Sequence, residues 1–387
     1  MSIVTGHNKD YSDNKYNDFS NKKTVFLKKC KNYEISKIRE VLNEGIEKLG
    51  CAIEGKKILI KPNLLSDMEA KRHATSQKEF IIALFDILKE RNCEIFIGDS
   101  PALVKAYDVL KKLDLIEEIK RYNAQIVEFK GMDENHIWLG VKEYDNIINL
   151  CKLKTHSLMT YTGAVKNLYG LVPGKTKALL HPIHPNPMSF GKLIYDIYEE
   201  INPQINIIDA IISMEGNGPS NGNLKKTGFI GISNDALALD LVIMDLINFK
   251  NTAIQKIAGK KRAPFVTKNG DLDYKKIYLT GDEIEKIKDF KKPIKGTSIL
   301  SIFLPQKART IVSSVISRKP VPTLKCVACK KCVEMCPVKA IKIKEIKVKE
   351  YTKKIAKVDY SKCIKCYCCH EVCPYGAIKI SFFERIK

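Results

Sequence analysis

The sequence predicts two domains: a large α/β domain on a mainly parallel sheet, then a small, cysteine-rich α+β domain. Three observations carry this. From Thr24 onward, apolar strand-like runs alternate with stretches of helical spacing, the β-α-β-α pattern of a parallel sheet covered by helices. The 387 residues are 44% hydrophobic, enough for two or three domains and a substantial core. Eight of the 13 cysteines fall into one spacing, C-x2-C-x2-C-x3-C-P, written twice near the C-terminal end.

Residues 1–23 are polar and without an apolar stretch, so they are expected to be a disordered tail rather than a targeting segment. The large domain is expected over 24–300. Thr24–Cys30 reads as a strand, and Ile35, Ile38, Val41, Leu42, Ile46 and Leu49 keep helical spacing. Lys57–Ile60 and Glu94–Ile97 are short apolar strands on either side of a helix at Phe80–Leu88. Further strands are predicted at Gln125–Phe129, Asn146–Leu150, Ile205–Ile212 and Gly228–Ile232, with helices at Phe190–Ile201 and Ala236–Phe249. A linker is expected over 301–323, where Pro305, Pro320 and Pro322 fall, and the small domain over 324–387. Within it Ile341–Lys344, Ile346–Lys349 and Ile355–Val358 predict a β-hairpin.

The cysteine spacing is that of a bacterial-type two-cluster ferredoxin, in which the fourth cysteine of each motif serves the other cluster. A cubane needs four thiolates, and a tight loop supplies three; the proline then stops the loop from continuing as helix. One [4Fe-4S] cluster is therefore assigned to Cys326, Cys329, Cys332 and Cys373, and a second to Cys363, Cys366, Cys369 and Cys336. A zinc ribbon also uses C-x2-C pairs, but it gives no reason for the repeated x3-C-P. Cys30, Cys51, Cys93 and Cys151 are expected to be inert thiols, and Cys368 a packing residue beside the ligands.

The net charge of +22 invites a nucleic-acid reading, but only 8 of the 66 basic residues are Arg. Specific base readers lean on Arg, so no specific nucleic-acid partner is expected. The charge suits acidic partners instead. The longest apolar candidate, Ala236–Ile247, is broken by Asp240 and Asp245, so no membrane span is expected and a cytoplasmic setting follows.

Ligands of parallel α/β sheets bind beyond the carboxyl ends of the strands. There the sequence places Lys61 and Asn63, His73, Gly98-Asp99-Ser100-Pro101, Lys154-Thr155-His156, and the turn from Glu215 through Gly216 and Gly218 to Pro219. The stretch Leu153–His184 is the densest in titratable groups and also holds Lys166 and His181. The candidate catalytic residues are His156, Lys166 and His181; the candidate anion-binding residues are Lys61, Asn63, His73, Gly216 and Gly218.

Lys61-Pro62-Asn63-Leu64, His73-Ala74-Thr75, Gly98–Pro101, Lys154-Thr155-His156, Gly163–Asn167 and Glu215–Pro219 resemble the iron–sulfur family called domain of unknown function 362. The resemblance covers about residues 24 to 300 and implies architecture more than reaction. The run His156, Lys166, Pro173-Gly174, His181 is similar to the site segment of the lactate racemase family, though the gap from Lys166 to Pro173 is longer here and nickel is not assigned.

Three functions fit these residues. The first is electron transfer, from a redox partner protein through the ferredoxin domain to the large domain or a docked partner. The second is a redox enzyme acting on an anionic small molecule at the His156/Lys166 loop. The third is a cluster-assembly or maturation factor.

Overall fold

The computed structural model describes residues 23–101, 103–174, 176–293, 318–348 and 351–381. Residues 1–22 of the expected tail and most of the expected linker lie outside the described residues; Lys23, expected in the tail, begins the first strand because it pairs with Ile277.

Among the described residues nine strands form one sheet: β1 (Lys23–Lys29), β2 (Lys57–Lys61), β3 (Glu94–Gly98), β4 (Gln125–Val127), β5 (Asn146–His156), β6 (Thr160–Thr162), β7 (Ile205–Glu215), β8 (Asn223–Ser233) and β9 (Ile277–Gly281). Their order is β4-β3-β2-β5-β7-β8-β1-β9, with the short β6 folded back on β5. The run from β4 to β7 is parallel throughout. β8 is antiparallel to both neighbours, and β1 and β9 pair in parallel beyond it.

Helices cover both faces. α1 (Ile35–Leu49), α2 (Lys78–Glu90), α3 (Ala106–Lys112) and α4 (Ile116–Arg121) bury one apolar core. α5 (Ala164–Asn167), α6 (Thr176–Ile183), α7 (Pro187–Ile201), α8 (Ala236–Leu246) and α9 (Ala253–Lys261) bury the other. Local chemistry sets their ends. Gly50 takes φ 65° to cap α1, a left-handed conformation that costs glycine little. Asn186 accepts from the backbone N–H groups of Met188 and Ser189 to start α7, with Pro187 at the first helical position. Thr252 and Gln255 form a reciprocal capping box on α9.

The small domain pairs β10 (Lys319–Pro322) antiparallel with β13 (Ile378–Ser381) and forms the hairpin β11 (Ile341–Val348)–β12 (Tyr351–Val358). β10 occupies the end of the stretch expected as linker. Its two prolines cannot donate to a ladder, but they are tolerated because β10 has a single strand neighbour. Two helical turns, Lys331–Met335 and Cys368–Glu371, complete the domain.

The two domains meet along a polar seam. Arg72 Nη1 donates to the carbonyl of Pro374 (2.5 Å) and Nη2 to Asn221 Oδ1 (2.7 Å). Ser220 Oγ donates to Glu371 O (2.6 Å), Asn221 Nδ2 to His370 O (3.0 Å), and Lys331 pairs with Asp67 (2.7 Å). Ala178 of α6 packs with Met335 and Cys368 of the small domain.

Candidate functional site

The carboxyl ends of β2, β3 and β5 open onto a cavity of about 110 Å³ whose far wall is the small domain. The large domain contributes Asn63, Asp99, Lys154, His156, Thr162, Lys166, Lys177 and His181, with Tyr169 and Phe190 as apolar walls. Met335, Cys368, Glu371 and Val372 close it from the other side.

β5 explains how cations arrive here. It is buried along its whole length, yet it carries Lys152 and Lys154. Its pairing with β7 slips between Lys152 and Lys154, a bulge that re-aims the strand end. Lys152 stays in the core, paired with Asp209 at 2.6 Å, while Lys154 reaches the cavity. Lys154 Nζ donates to Asn63 Oδ1 and Ala74 O, both at 2.6 Å. Burial, reinforced by Lys166 and Lys152, pushes its pKa down to about 7. Lys177 donates to the carbonyls of Ser100 and Gly170, and burial likewise lowers it to about 7.

Lys166 is carried on α5. Asp240 of α8 fixes that turn by accepting from the N–H groups of Ala164 (2.7 Å) and Val165 (2.9 Å) and from Tyr161 OH (3.0 Å). Among the described residues the Lys166 ammonium makes no hydrogen bond or ion pair, and burial lowers its pKa. An unpaired cation on a cavity wall calls for an anion.

His156 is held at both ring nitrogens. Nδ1 accepts from the backbone N–H groups of Leu158 (3.1 Å) and Met159 (3.2 Å), so the ring proton sits on Nε2. Nε2 lies 3.0 Å from Glu371 Oε1, at an approach too oblique for a hydrogen bond. Burial and then Lys166 lower the imidazole pKa, while the Glu371 carboxylate beside it acts the other way. Burial raises the Glu371 carboxyl, but the histidine and Lys166 outweigh it and hold it ionised, below the usual carboxylate range. His156 is thereby a clamp between the domains. His181 is the freer imidazole: its Nδ1 is buried without a partner, its ring lies 4.5 Å from that of Phe190, and burial lowers its pKa to about 4. Thr162 Oγ1 is also buried without a hydrogen-bond partner. Native interiors seldom leave such atoms unmatched, so a ligand is the natural partner for both.

The structure thus brings Asn63, His156, Lys166 and His181 to one cavity. Lys61 lies just behind the wall. Its fully buried ammonium pairs with Asp99 at 2.8 Å, and Asp99 also accepts from Leu64 N and Ser100 N. A side chain at Gly170 would strike both members of that pair, which is why glycine stands there. His73 is elsewhere: it stacks on Tyr33 at 5.4 Å beside the Lys152–Asp209 pair. The Gly216–Gly218 turn does not present free N–H groups. Gly216 N donates to Lys291 O, and Gly218 N to Gly216 O and Thr155 Oγ1, so only Pro219 of this turn lines the cavity. Sequence reasoning placed Lys154 at a ligand-binding strand end without counting it among the candidate site residues, and did not single out Thr162, Lys177 or Glu371. A lysine at alternate positions of an apolar strand was the available signal for Lys154; Glu371 had none, since it arrives from another domain.

The eight motif cysteines gather around two recesses. Cys326, Cys329, Cys332 and Cys373 line one, and Cys336, Cys363, Cys366 and Cys369 line the other. Each set crosses the two motifs. Among the described residues no group of three or more His, Cys, Asp or Glu side chains is placed to hold a single ion. The thiols ring spaces instead, as suits a cluster. Backbone N–H groups already point at the sulfurs: Ala328 and Ala356 at Cys326 (3.5 and 3.3 Å), Ala377 at Cys373 (3.2 Å) and Ala340 at Cys336 (3.2 Å). Such bonds stabilise cluster thiolates and tune their potential. Cys368 is buried between the second recess and the cavity and lines both.

Comparison with known proteins agrees with this layout. Residues 58–245 match the family model described as domain of unknown function (DUF362), and residues 325–377 match that of a 4Fe-4S dicluster domain. A thylakoid-associated protein of Synechocystis sp. is 33% identical over 254 residues, covering 62% of this chain and 79% of that protein. No helix among the described residues is long and apolar enough to cross a membrane. The chain belongs to the DUF362 family and joins its α/β domain to a 4Fe-4S ferredoxin domain.

Proposed function

We propose that the chain is a ferredoxin-fed oxidoreductase that passes single electrons to a small anion held in the interdomain cavity. The observation that carries this is Cys368. It stands between Cys366 and Cys369 in sequence, and its side chain is shared by the second cysteine recess and the cavity wall. Two [4Fe-4S] clusters, one per recess, would supply electrons one at a time.

The chain's own residues do the rest. Lys166, Lys154 and Lys177 provide positive charge for a carboxylate or phosphate. The buried Thr162 hydroxyl and His181 Nδ1 need polar partners, so the ligand should carry a hydroxyl or amino group as well as its charge. Tyr169, Phe190, Met335 and Val372 exclude water. Two electrons and two protons reduce one unsaturated bond of such a ligand. A one-electron carrier protein supplies the electrons through the ferredoxin domain. The protons leave Lys154 and Lys177, whose pKa values near 7 suit acid catalysis, and solvent recharges them.

The test uses anaerobically purified, fully reduced protein mixed with a panel of small keto-acids, imino-acids and α,β-unsaturated acids that carry a hydroxyl or amino group, and their phosphates. Reoxidation is followed by electron paramagnetic resonance. One compound class should reoxidise the wild type and fail with Lys166→Ala, while a small inorganic oxidant works equally on both. If no compound binds or reoxidises the protein, or if Lys166→Ala and Thr162→Val leave every rate unchanged, a pure electron carrier becomes the better account.

A further inference from the structure

The hairpin of the ferredoxin domain carries a charge pattern that folding alone does not explain. Lys342 and Lys357 face each other directly in the β11–β12 register, and both are exposed. Like charges directly opposite on antiparallel strands are destabilising. With Lys339, Lys344 and Lys362 they surround a hollow of about 370 Å³. The single acid in its lining, Asp359, is turned to Ser361, whose N–H and hydroxyl both donate to Oδ1. Among the described residues none of these five lysines has a carboxylate within ion-pair distance. The neighbouring Lys354, by contrast, has Glu345 at 3.6 Å.

The hollow also lies next to the second cysteine recess. Ala340 lines both, and its N–H donates to Cys336 Sγ at 3.2 Å. The same recess is also lined by Cys368, which lines the cavity as well.

We propose that this lysine hollow is the docking surface for the acidic face of a one-electron carrier protein, and that electrons enter the chain here. The occupant follows from two facts together. The charge calls for a polyanionic surface, and the one-alanine separation from a cysteine ligand recess calls for a redox partner. One electron passes per encounter: the carrier is oxidised by one electron, this chain is reduced by one, and no bond is made or broken. The inference does not depend on what the cavity binds.

The test is the reduction rate of the full, iron-loaded chain by a reduced acidic two-cluster ferredoxin, compared with reduction by dithionite. Charge steering of this kind changes association rates by roughly 10- to 1000-fold and weakens as salt shortens the screening length. In Lys342→Glu/Lys357→Glu the ferredoxin rate should fall about tenfold or more at low salt, with the gap closing at high salt. Iron content and the dithionite rate should not move. A ferredoxin rate that is unchanged in the variant, or independent of salt in the wild type, overturns the proposal. So does capture of the wild type by vesicles of anionic lipid that is lost in the variant while the ferredoxin rate is unaffected; the hollow would then be a membrane contact. A single variant, Lys357→Ser, serves if the double variant loses iron.

Discussion

Anion binding in the cavity should weaken as the pH rises through neutrality, and Lys154 should account for a measurable part of the effect. Both Lys154 and Lys177 have folded pKa values near 7, far below the 10.5 of an exposed lysine. A cation with a depressed pKa is neutral in the empty site at high pH and charged at low pH, and an anion needs the charged form. Between about pH 6 and about pH 8 the charged fraction of each lysine falls roughly tenfold, so affinity should fall up to about 100-fold if both contribute. The stability contribution has the opposite sign. The unfolded lysine titrates at 10.5, so the fold is favoured most above that pH and loses stability as the pH falls towards 7. For Lys154, which is almost wholly buried, the shift corresponds to roughly 5 kcal/mol. A saturating anion should return about 2.7 kcal/mol of that at a hundredfold excess over Kd. Sulfate is a suitable probe because its own charge is constant over this range. Calorimetric titration at three pH values should show a steep loss of affinity in the wild type and a slope shallower by about one proton in Lys154→Met. Asp240, raised to about 7 by burial, titrates in the same window, so the variant comparison carries the argument. A flat wild-type profile, or an identical slope in the variant, would refute it. His181 does not confuse the reading, because its pKa near 4 leaves it neutral throughout.

Gly170→Ala should drive a methyl group into the Lys61–Asp99 pair and cost about 3–5 kcal/mol, the penalty for breaking a buried ion pair; thermal unfolding would register it, with iron content of the native protein unchanged. Cys336→Ala should remove mainly the iron held by Cys363, Cys366 and Cys369, leaving about four irons per chain on metal analysis; loss from the recess of its own motif would mean the crossed ligand sets are misassigned. Glu371→Gln should loosen the seam and tighten sulfate binding together, since it removes both the partner of His156 and the carboxylate nearest Lys166; unchanged sulfate affinity would show that this carboxylate does not compete for the site.

The sheet and most of its helices were legible because their signal is local. The apolar runs that became β2 and β3, and the spacing Ile38–Val41–Leu42–Ile46 of α1, need no partner to be read. Short elements such as α3, α4, β6 and β9 were missed, because a few residues carry too little periodicity. β5 and β7 run to His156 and Glu215, past where their apolar runs end, because tertiary partners satisfy the polar residues. Of the site, the Leu153–His184 loop stood out by composition. Its chemistry did not, because roles depend on contacts made across the fold. His156 lost its place as a free acid or base to two backbone N–H groups, and Gly216 and Gly218 lost theirs to carbonyl and hydroxyl acceptors. Cys368 looked like packing beside the ligands, because nothing in the motif says which side faces the other domain.

Four cavity residues, Met335, Cys368, Glu371 and Val372, belong to the ferredoxin domain, and three of them sit within the last cysteine motif. The cavity is therefore completed by the domain that carries the cluster cysteines. On the proposed function, displacing these loops would remove part of the chamber wall and the electron source together, so the two would fail as one.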